Sequence, residues 1–129
     1  MGWVLCMLLD YITGSAAAGK AGKWNSERAR EGIWHKAGMM VVVIVALVTD
    51  LMIGLVMDNL TVLALPVDYP GLLCPVVLVW YMLTELGSIT ENAMAMGAPV
   101  PGWLVGLLAA GVNTVDKAGT AMTHSEPKE

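Results

Sequence analysis

Residues 37–57 read AGMMVVVIVALVTDLMIGLVM, and this stretch decides the fold. As a helix it rises about 31 Å at about 1.5 Å per residue, which matches the roughly 30 Å hydrocarbon core of a bilayer. Its one charge, Asp50, costs about 2.5–3.5 kcal/mol at the bilayer centre, whereas each Val, Leu or Ile contributes about 0.3–0.6 kcal/mol toward insertion. The apolar side chains together outweigh the carboxylate, so the sequence predicts a transmembrane helix here.

The composition of the whole chain also indicates a lipid environment. Of 129 residues, 57% are hydrophobic and 14% are charged, whereas soluble domains have roughly 25% charged and about 45–50% apolar residues. A soluble fold of this size has too much surface for its volume to hide so many apolar side chains. The net charge of −4 argues against nucleic acid as a partner, because proteins that bind it present a basic face. We therefore expect an integral membrane protein.

Three further apolar segments accompany the first. Residues 71–87 are near the lower length limit for a span, and Pro75 is tolerated because it falls in the first turns. Residues 1–19 form a shortened apolar segment, interrupted by Asp10, which we expect to be a third span. Residues 101–112 are too short to cross and predict a short amphipathic or re-entrant helix. The predicted fold is an all-α integral membrane protein.

The basic residues predict the orientation of the chain. Five of the seven lie between the first two apolar segments, whereas residues 58–70 carry two acids and no base. The positive-inside rule places residues 20–36 in a cytoplasmic loop and residues 58–70 in an external loop. We expect one multi-pass membrane domain, residues 1–119, in a bacterial cytoplasmic membrane, and a flexible polar tail, residues 120–129. The predicted topology determinants are Lys20, Lys23, Arg28, Arg30 and Lys36.

Carboxylates within the apolar segments are the candidate functional groups. Hydrocarbon cannot solvate an ionised carboxylate, so such groups must face protein or water. In residues 37–57, small and acidic residues recur every four positions and share one helix face. This face lines a water-filled lesion or meets another copy; alternatively it packs within the chain, with Asp50 hydrogen-bonded or protonated. The predicted pore or oligomer face comprises Asp10, Gly14, Ala18, Ala46, Asp50, Gly54, Glu85, Ser88, Glu91, Asn92, Gly102 and Gly106.

The sequence shows no pattern typical of catalysis or metal binding. His35 and His124 have no Cys or carboxylate at ligand spacing, and no GxSxG, HExxH or P-loop pattern occurs. Cys6 and Cys74 lie in apolar surroundings outside any CxxC motif, so we expect them to behave as small apolar side chains. We expect no enzymatic activity, no metal and no cofactor.

Several blocks of the sequence together resemble a known family. Residues 10–14 read DYITG, residues 85–92 read ELGSITEN and residues 97–101 read GAPVP. With the long apolar segment that bears Asp50 between the first two blocks, their order and spacing resemble the phage-lysis/toxin-secretion holin family over about residues 8–112.

This resemblance implies a small phage-encoded protein of the bacterial cytoplasmic membrane. Members accumulate harmlessly, then assemble at a set time into homo-oligomeric lesions through which an endolysin reaches the peptidoglycan, and some relatives are associated with release of large toxins. It implies no cofactor, a functional link to the endolysin, and an antiholin as a further partner. Relatives usually have a longer apolar stretch before the first block. We therefore expect a shortened first segment or translation from an internal Met, which leaves both holin and regulatory antiholin open.

Two other classes of protein are also open at this point. A small multidrug-type exporter would use an intramembrane carboxylate as proton carrier in about four full helices. Asp10 fits that role, but the last segment is too short and is broken by Gly97, Pro99 and Pro101. A non-permeabilising accessory subunit would bind a partner helix through Gly102 and Gly106, because small residues at this spacing let helices approach closely.

Overall fold

A computed structural model describes residues 2–60 and 70–123 of the chain. Within them the chain forms no strands and four α-helices: α1 (Gly2–Lys20), α2 (Ser26–Leu60), α3 (Leu73–Ala95) and α4 (Gly102–Thr123). The predicted all-α fold is therefore confirmed. Most of the predicted external loop and the end of the predicted tail, residues 124–129, lie outside the described residues.

Two of the described helices are long and apolar enough to cross a membrane, and they are α2 and α3. They contain the two segments for which the sequence predicts full spans. With 35 residues, α2 is about 52 Å long, so it extends beyond a hydrocarbon core of about 30 Å. The helices α1 and α4 do not meet the same criterion, so neither a third span nor a re-entrant helix is confirmed.

Two predicted boundaries differ from the structure. The C-terminal helix, predicted over residues 101–112, has 22 residues and continues to Thr123. Polar side chains such as Asn113 end the apolar run, but they leave the backbone hydrogen bonds of a helix intact. The predicted basic loop is also mostly helical, because α2 begins at Ser26. The Glu27 N–H donates to Asn25 Oδ1 at 2.9 Å, which is the bond of a side-chain N-cap.

Helix α3 lies at the centre of the bundle and packs against the other three helices. Helix α1 runs parallel to α3, as contacts at both of its ends show. Trp3, at the start of α1, stacks on Tyr81 with ring centroids 6.0 Å apart, and Lys20, at its end, donates to the carbonyl oxygen of Met96, just after α3. Helix α4 runs antiparallel to α3, because Val105 lines a cavity with Glu91, near the end of α3, whereas Gly119 lines one with Val76, near its start. Its Gly111 lies so close to Leu83 that an added Cβ would stand 3.0 Å from the leucine Cδ1.

The distribution of burial is the reverse of that in a soluble protein. Among the described residues, the buried hydrophobic side chains are Met7, Ala17, Met39 and Ala46, whereas Glu85 and Asp50 are only 4% and 8% exposed. The outward face of α2 is exposed and apolar. It comprises Met40, Val41, Val42, Ile44, Val45, Leu47, Val48, Leu51, Met52, Leu55 and Val56. Such a face needs lipid or another apolar surface to cover it.

Candidate functional site

An ion cluster joins three helices in the interior of the bundle. Lys36 Nζ, on α2, donates to Asp10 Oδ2 of α1 at 3.0 Å and to Glu85 Oε2 of α3 at 2.6 Å. The Lys36 side chain is 14% exposed, and those of Asp10 and Glu85 are 20% and 5% exposed. The ammonium group therefore lies between two carboxylates that are largely shielded from solvent.

Asn92 of α3 completes this cluster from the other side of Asp10. Its Nδ2 donates to Asp10 Oδ1 at 3.1 Å and to Thr13 Oγ1 at 3.3 Å. Both carboxylate oxygens of Asp10 are thus hydrogen-bonded. Asn92 also lies beside Gly14, where a Cβ would stand 3.4 Å from Asn92 Nδ2. We use the term ion cluster for Asp10, Lys36, Glu85 and Asn92.

The ion cluster has a formal charge of −1, since two carboxylates share one ammonium group. Removing ions from water is unfavourable by several kcal/mol each, and only good geometry with additional hydrogen bonds offsets this. Here the short contacts and the Asn92 amide supply both. Taking away one partner of a buried pair typically costs about 3–5 kcal/mol. The cluster therefore fixes α1, α2 and α3 relative to one another at this level of the bundle.

A further carboxylate, that of Asp50 on α2, binds the beginning of α3. The N–H of Leu73 donates to Asp50 Oδ1 at 3.0 Å, and the N–H of Cys74 donates to Asp50 Oδ2 at 2.7 Å. These are N–H groups that a helix start leaves without partners of its own. The next residue, Pro75, has no N–H to satisfy. A negative charge at this position is also favoured by the helix dipole.

The turn before α3 is shaped to meet Asp50. Gly71 has a φ of +70°, in the left-handed region that glycine adopts without steric strain. A Cβ at Gly71 would lie 3.6 Å from Asp50 Oδ2, so the backbone passes directly beside the carboxylate. Asp50 is thus hydrogen-bonded within the chain, as one of the two interpretations of its helix face predicts.

The structure brings together part of the predicted pore or oligomer face. Asp10, Glu85 and Asn92 meet in the ion cluster, with Gly14 beside them. Lys36, which the sequence predicts to be a topology determinant, is also the shared partner of both acids. The buried Ala46 lies one turn from Asp50 on α2, and Ala18 lines a cavity that Asp10, Gly14 and Asn92 also line. Ser88 and Glu91 line a cavity between α3 and α4, and no described atom outside the local helix backbone lies within 4 Å of a Cβ built at Gly54, Gly102 or Gly106.

Lys36 is the functional residue whose role the sequence analysis missed. A buried acid requires a cation or another polar partner, and Lys36 directly precedes the apolar segment that bears Asp50. This position beside an acid-bearing apolar segment was the sequence feature that indicated Lys36 as a partner for a buried acid. In the described part of the chain, no group of three or more His, Cys, Asp or Glu side chains is placed to hold a metal ion.

Comparison with known proteins gives a consistent match. The model of the bacteriophage holin family matches residues 1–111. An uncharacterized protein of Halalkalibacterium halodurans is 35% identical over 95 residues, which are 74% of this chain and 64% of that protein. Uncharacterized proteins of Listeria monocytogenes and Listeria innocua are each 32% identical over 106 residues, or 81% of this chain and 66% of theirs. The match thus spans slightly less than two thirds of these relatives, and no solved structure matches the chain.

Proposed function

Because the chain belongs to the bacteriophage holin family, we propose that it is a holin of the host cytoplasmic membrane, where copies assemble into lesions that release an endolysin. One observation carries this proposal beyond family membership: α2 exposes a continuous apolar face while its charged Lys36 and Asp50 side chains turn inward. A monomer of this kind is suited to lipid. It also contains buried charged side chains, which would line a water-filled opening once they face water.

The proposed orientation follows from the basic residues. Residues 20–36 lie on the cytoplasmic side, where anionic headgroups attract each Lys or Arg by about 1 kcal/mol. Helices α2 and α3 then cross the membrane in opposite directions. This direction agrees with their contacts, since Lys36 meets Glu85 in the middle of α3 whereas Asp50 meets Leu73 at its start.

The proposed mechanism exchanges contacts within one chain for contacts between chains. In the isolated monomer the ion cluster and Asp50 are satisfied internally, so the chain accumulates without opening the membrane. In crowded patches, neighbouring copies replace α2–α3 contacts, and the acidic groups turn toward water. Hydration removes the burial penalty of each carboxylate. A membrane potential biases this step, because moving one charge across 100 mV is worth about 2.3 kcal/mol.

Timed expression in a bacterium tests the proposal. The chain is induced alone and together with an endolysin that lacks its own export signal, while membrane potential and culture turbidity are recorded. We expect a delay, an abrupt loss of potential and, with the endolysin, immediate lysis. A catalytically dead endolysin is the matched control and must leave the turbidity unchanged. Resistance to cationic drugs would indicate an exporter, and delayed lysis by a co-expressed holin, without depolarisation by the chain alone, would indicate an antiholin; both results contradict the proposal.

A further inference from the structure

A cavity of about 430 Å³ lies between α1, the turn that follows it, the first turns of α2 and the end of α3. Small residues create the space, since Gly14, Ala18 and Gly32 line it. A Cβ at Gly32 would stand 3.9 Å from the ring of Tyr11, which forms another wall. The volume falls within the range of about 300–1,000 Å³ that is usual for small-molecule sites.

The cavity has a net positive charge, because Lys23, Arg28 and Lys36 line it together with one carboxylate, that of Asp10. Lys23 and Arg28 are exposed and line it, and among the described residues neither forms a salt bridge. Lys36 lines the same cavity but is already paired with Asp10. The beginning of α2 lies here too, and its dipole adds positive potential. Two cations without ion-pair partners, on a cavity with apolar walls, suit an amphipathic anion.

We propose that this cavity binds the headgroup of an anionic phospholipid, with the phosphate between Lys23 and Arg28 and the start of an acyl chain along the small residues of α1. Arg binds phosphate through paired N–H donors, and basic pockets between membrane helices on the cytoplasmic side are suited to anionic headgroups. Trp24, which lines the cavity and is 60% exposed, belongs to a residue type enriched at membrane interfaces. A bilayer supplies such a ligand at high local concentration.

The bound lipid would support the α1–α2 hairpin, in which the two helices contact each other near the ion cluster through Asp10 and Lys36 and through Tyr11 and Gly32. This inference requires that the chain inserts into a membrane, but it does not require lesion formation. Failure of the lysis experiment and failure of lipid binding are therefore separate results.

Native mass spectrometry of the full chain in a mild detergent tests the proposal, with phosphatidylglycerol and phosphatidylcholine of identical acyl chains as probes. We expect the wild-type chain to retain phosphatidylglycerol preferentially. Arg28→Gln should weaken that binding about tenfold, which corresponds to about 1.4 kcal/mol, and Lys23→Gln should add to the effect. Arg30→Gln is the matched control, because Arg30 lies on the same helix, is exposed and does not line the cavity.

Helix content, measured by circular dichroism, shows whether each variant folds. Arg28→Lys keeps the charge and should therefore retain part of the phosphatidylglycerol binding. Equal losses for Arg28→Gln and Arg30→Gln would mean attraction by net charge alone and would overturn the proposal. Equal retention of the two lipids would overturn it as well. Inorganic phosphate is the third probe: if it binds in an Arg28-dependent manner while phosphatidylglycerol is not retained, the site is one for a soluble anion and the lipid is excluded.

Discussion

Replacing Lys36 by Met should destabilise the monomer, because it removes the cation that two largely buried carboxylates share. The substitution keeps the length of the side chain but leaves the carboxylates of Asp10 and Glu85, which now lie 3.0 and 2.6 Å from the ammonium group, without their shared cation. Because the Glu85 side chain is 5% exposed, water cannot replace that partner. Loss of one member of a buried pair costs about 3–5 kcal/mol, which corresponds to at least about a hundredfold shift in a closed–open equilibrium.

The assay is lysis timing with co-expressed endolysin, together with thermal unfolding of the purified chain in detergent. We expect Lys36→Met to lower the unfolding temperature and to advance lysis. Arg30→Met, which removes an exposed cation of the same helix, should leave both unchanged, and Lys36→Arg should restore most of the wild-type behaviour.

Neutral substitution of all three ionic groups separates the loss of an ion pair from a general failure to fold. The triple variant Lys36→Met, Asp10→Asn, Glu85→Gln leaves no buried charge uncompensated, and replacing a complete buried ionic group is often close to neutral. It should therefore be more stable than Lys36→Met alone. If Lys36→Met unfolds and lyses as the wild type does, or if the triple variant is no better than the single one, the ion cluster does not hold the closed state.

Three further outcomes follow from the structure. Asp50→Ala should lower the free energy of unfolding by about 0.5–2 kcal/mol, as for loss of an N-cap, and Asp50→Asn should lower it less because the amide keeps one acceptor; unfolding in detergent measures both changes. If Asp50→Asn leaves lysis timing and uncoupler sensitivity unchanged, the charge of Asp50 has no role in opening. Gly71→Ala should destabilise by about 1 kcal/mol through its positive φ, whereas Gly38→Ala, in open space on α2, should be neutral or stabilising; equal effects would contradict this. Gly106→Leu should reduce the yield of cross-linked oligomers without lowering the unfolding temperature of the monomer, because a Cβ at Gly106 meets no other part of the described chain. If the variant gives as many cross-linked oligomers as the wild type, Gly106 does not belong to the predicted oligomer face.

The sequence predicts the apolar helices well because hydropathy is a property of consecutive residues. The run at residues 37–57 is so apolar that only a membrane helix or a deeply buried one accommodates it, and the helix observed there contains it entirely. The end of α4 was predicted less well, because the loss of apolar residues after Val112 marks a change of surroundings and leaves the helix uninterrupted.

The partners of the charged groups could not be predicted in the same way. Asp50 was identified as an interior acid, but its partners are N–H groups of residues 23 and 24 positions later in the chain, and their position depends on how α3 packs. The distribution of basic residues predicts on which side of the membrane Lys36 lies but does not predict how deep its side chain lies in the bundle. Its contact with Glu85, 49 positions later, therefore could not be predicted from neighbouring residues in the sequence. Pairing across helices is a tertiary property.

Helix α2 is attached to α3 at two separate heights, by Asp50 at the start of α3 and by Lys36 at its middle. These residues are 14 positions apart, or about 21 Å along the axis of α2, so the two attachments together prevent α2 from rotating or sliding relative to α3. Sliding α2 by a single turn, about 5.4 Å, would misalign both at once. We therefore expect α2 and α3 to separate cooperatively, because neither attachment persists when the other is displaced by a turn.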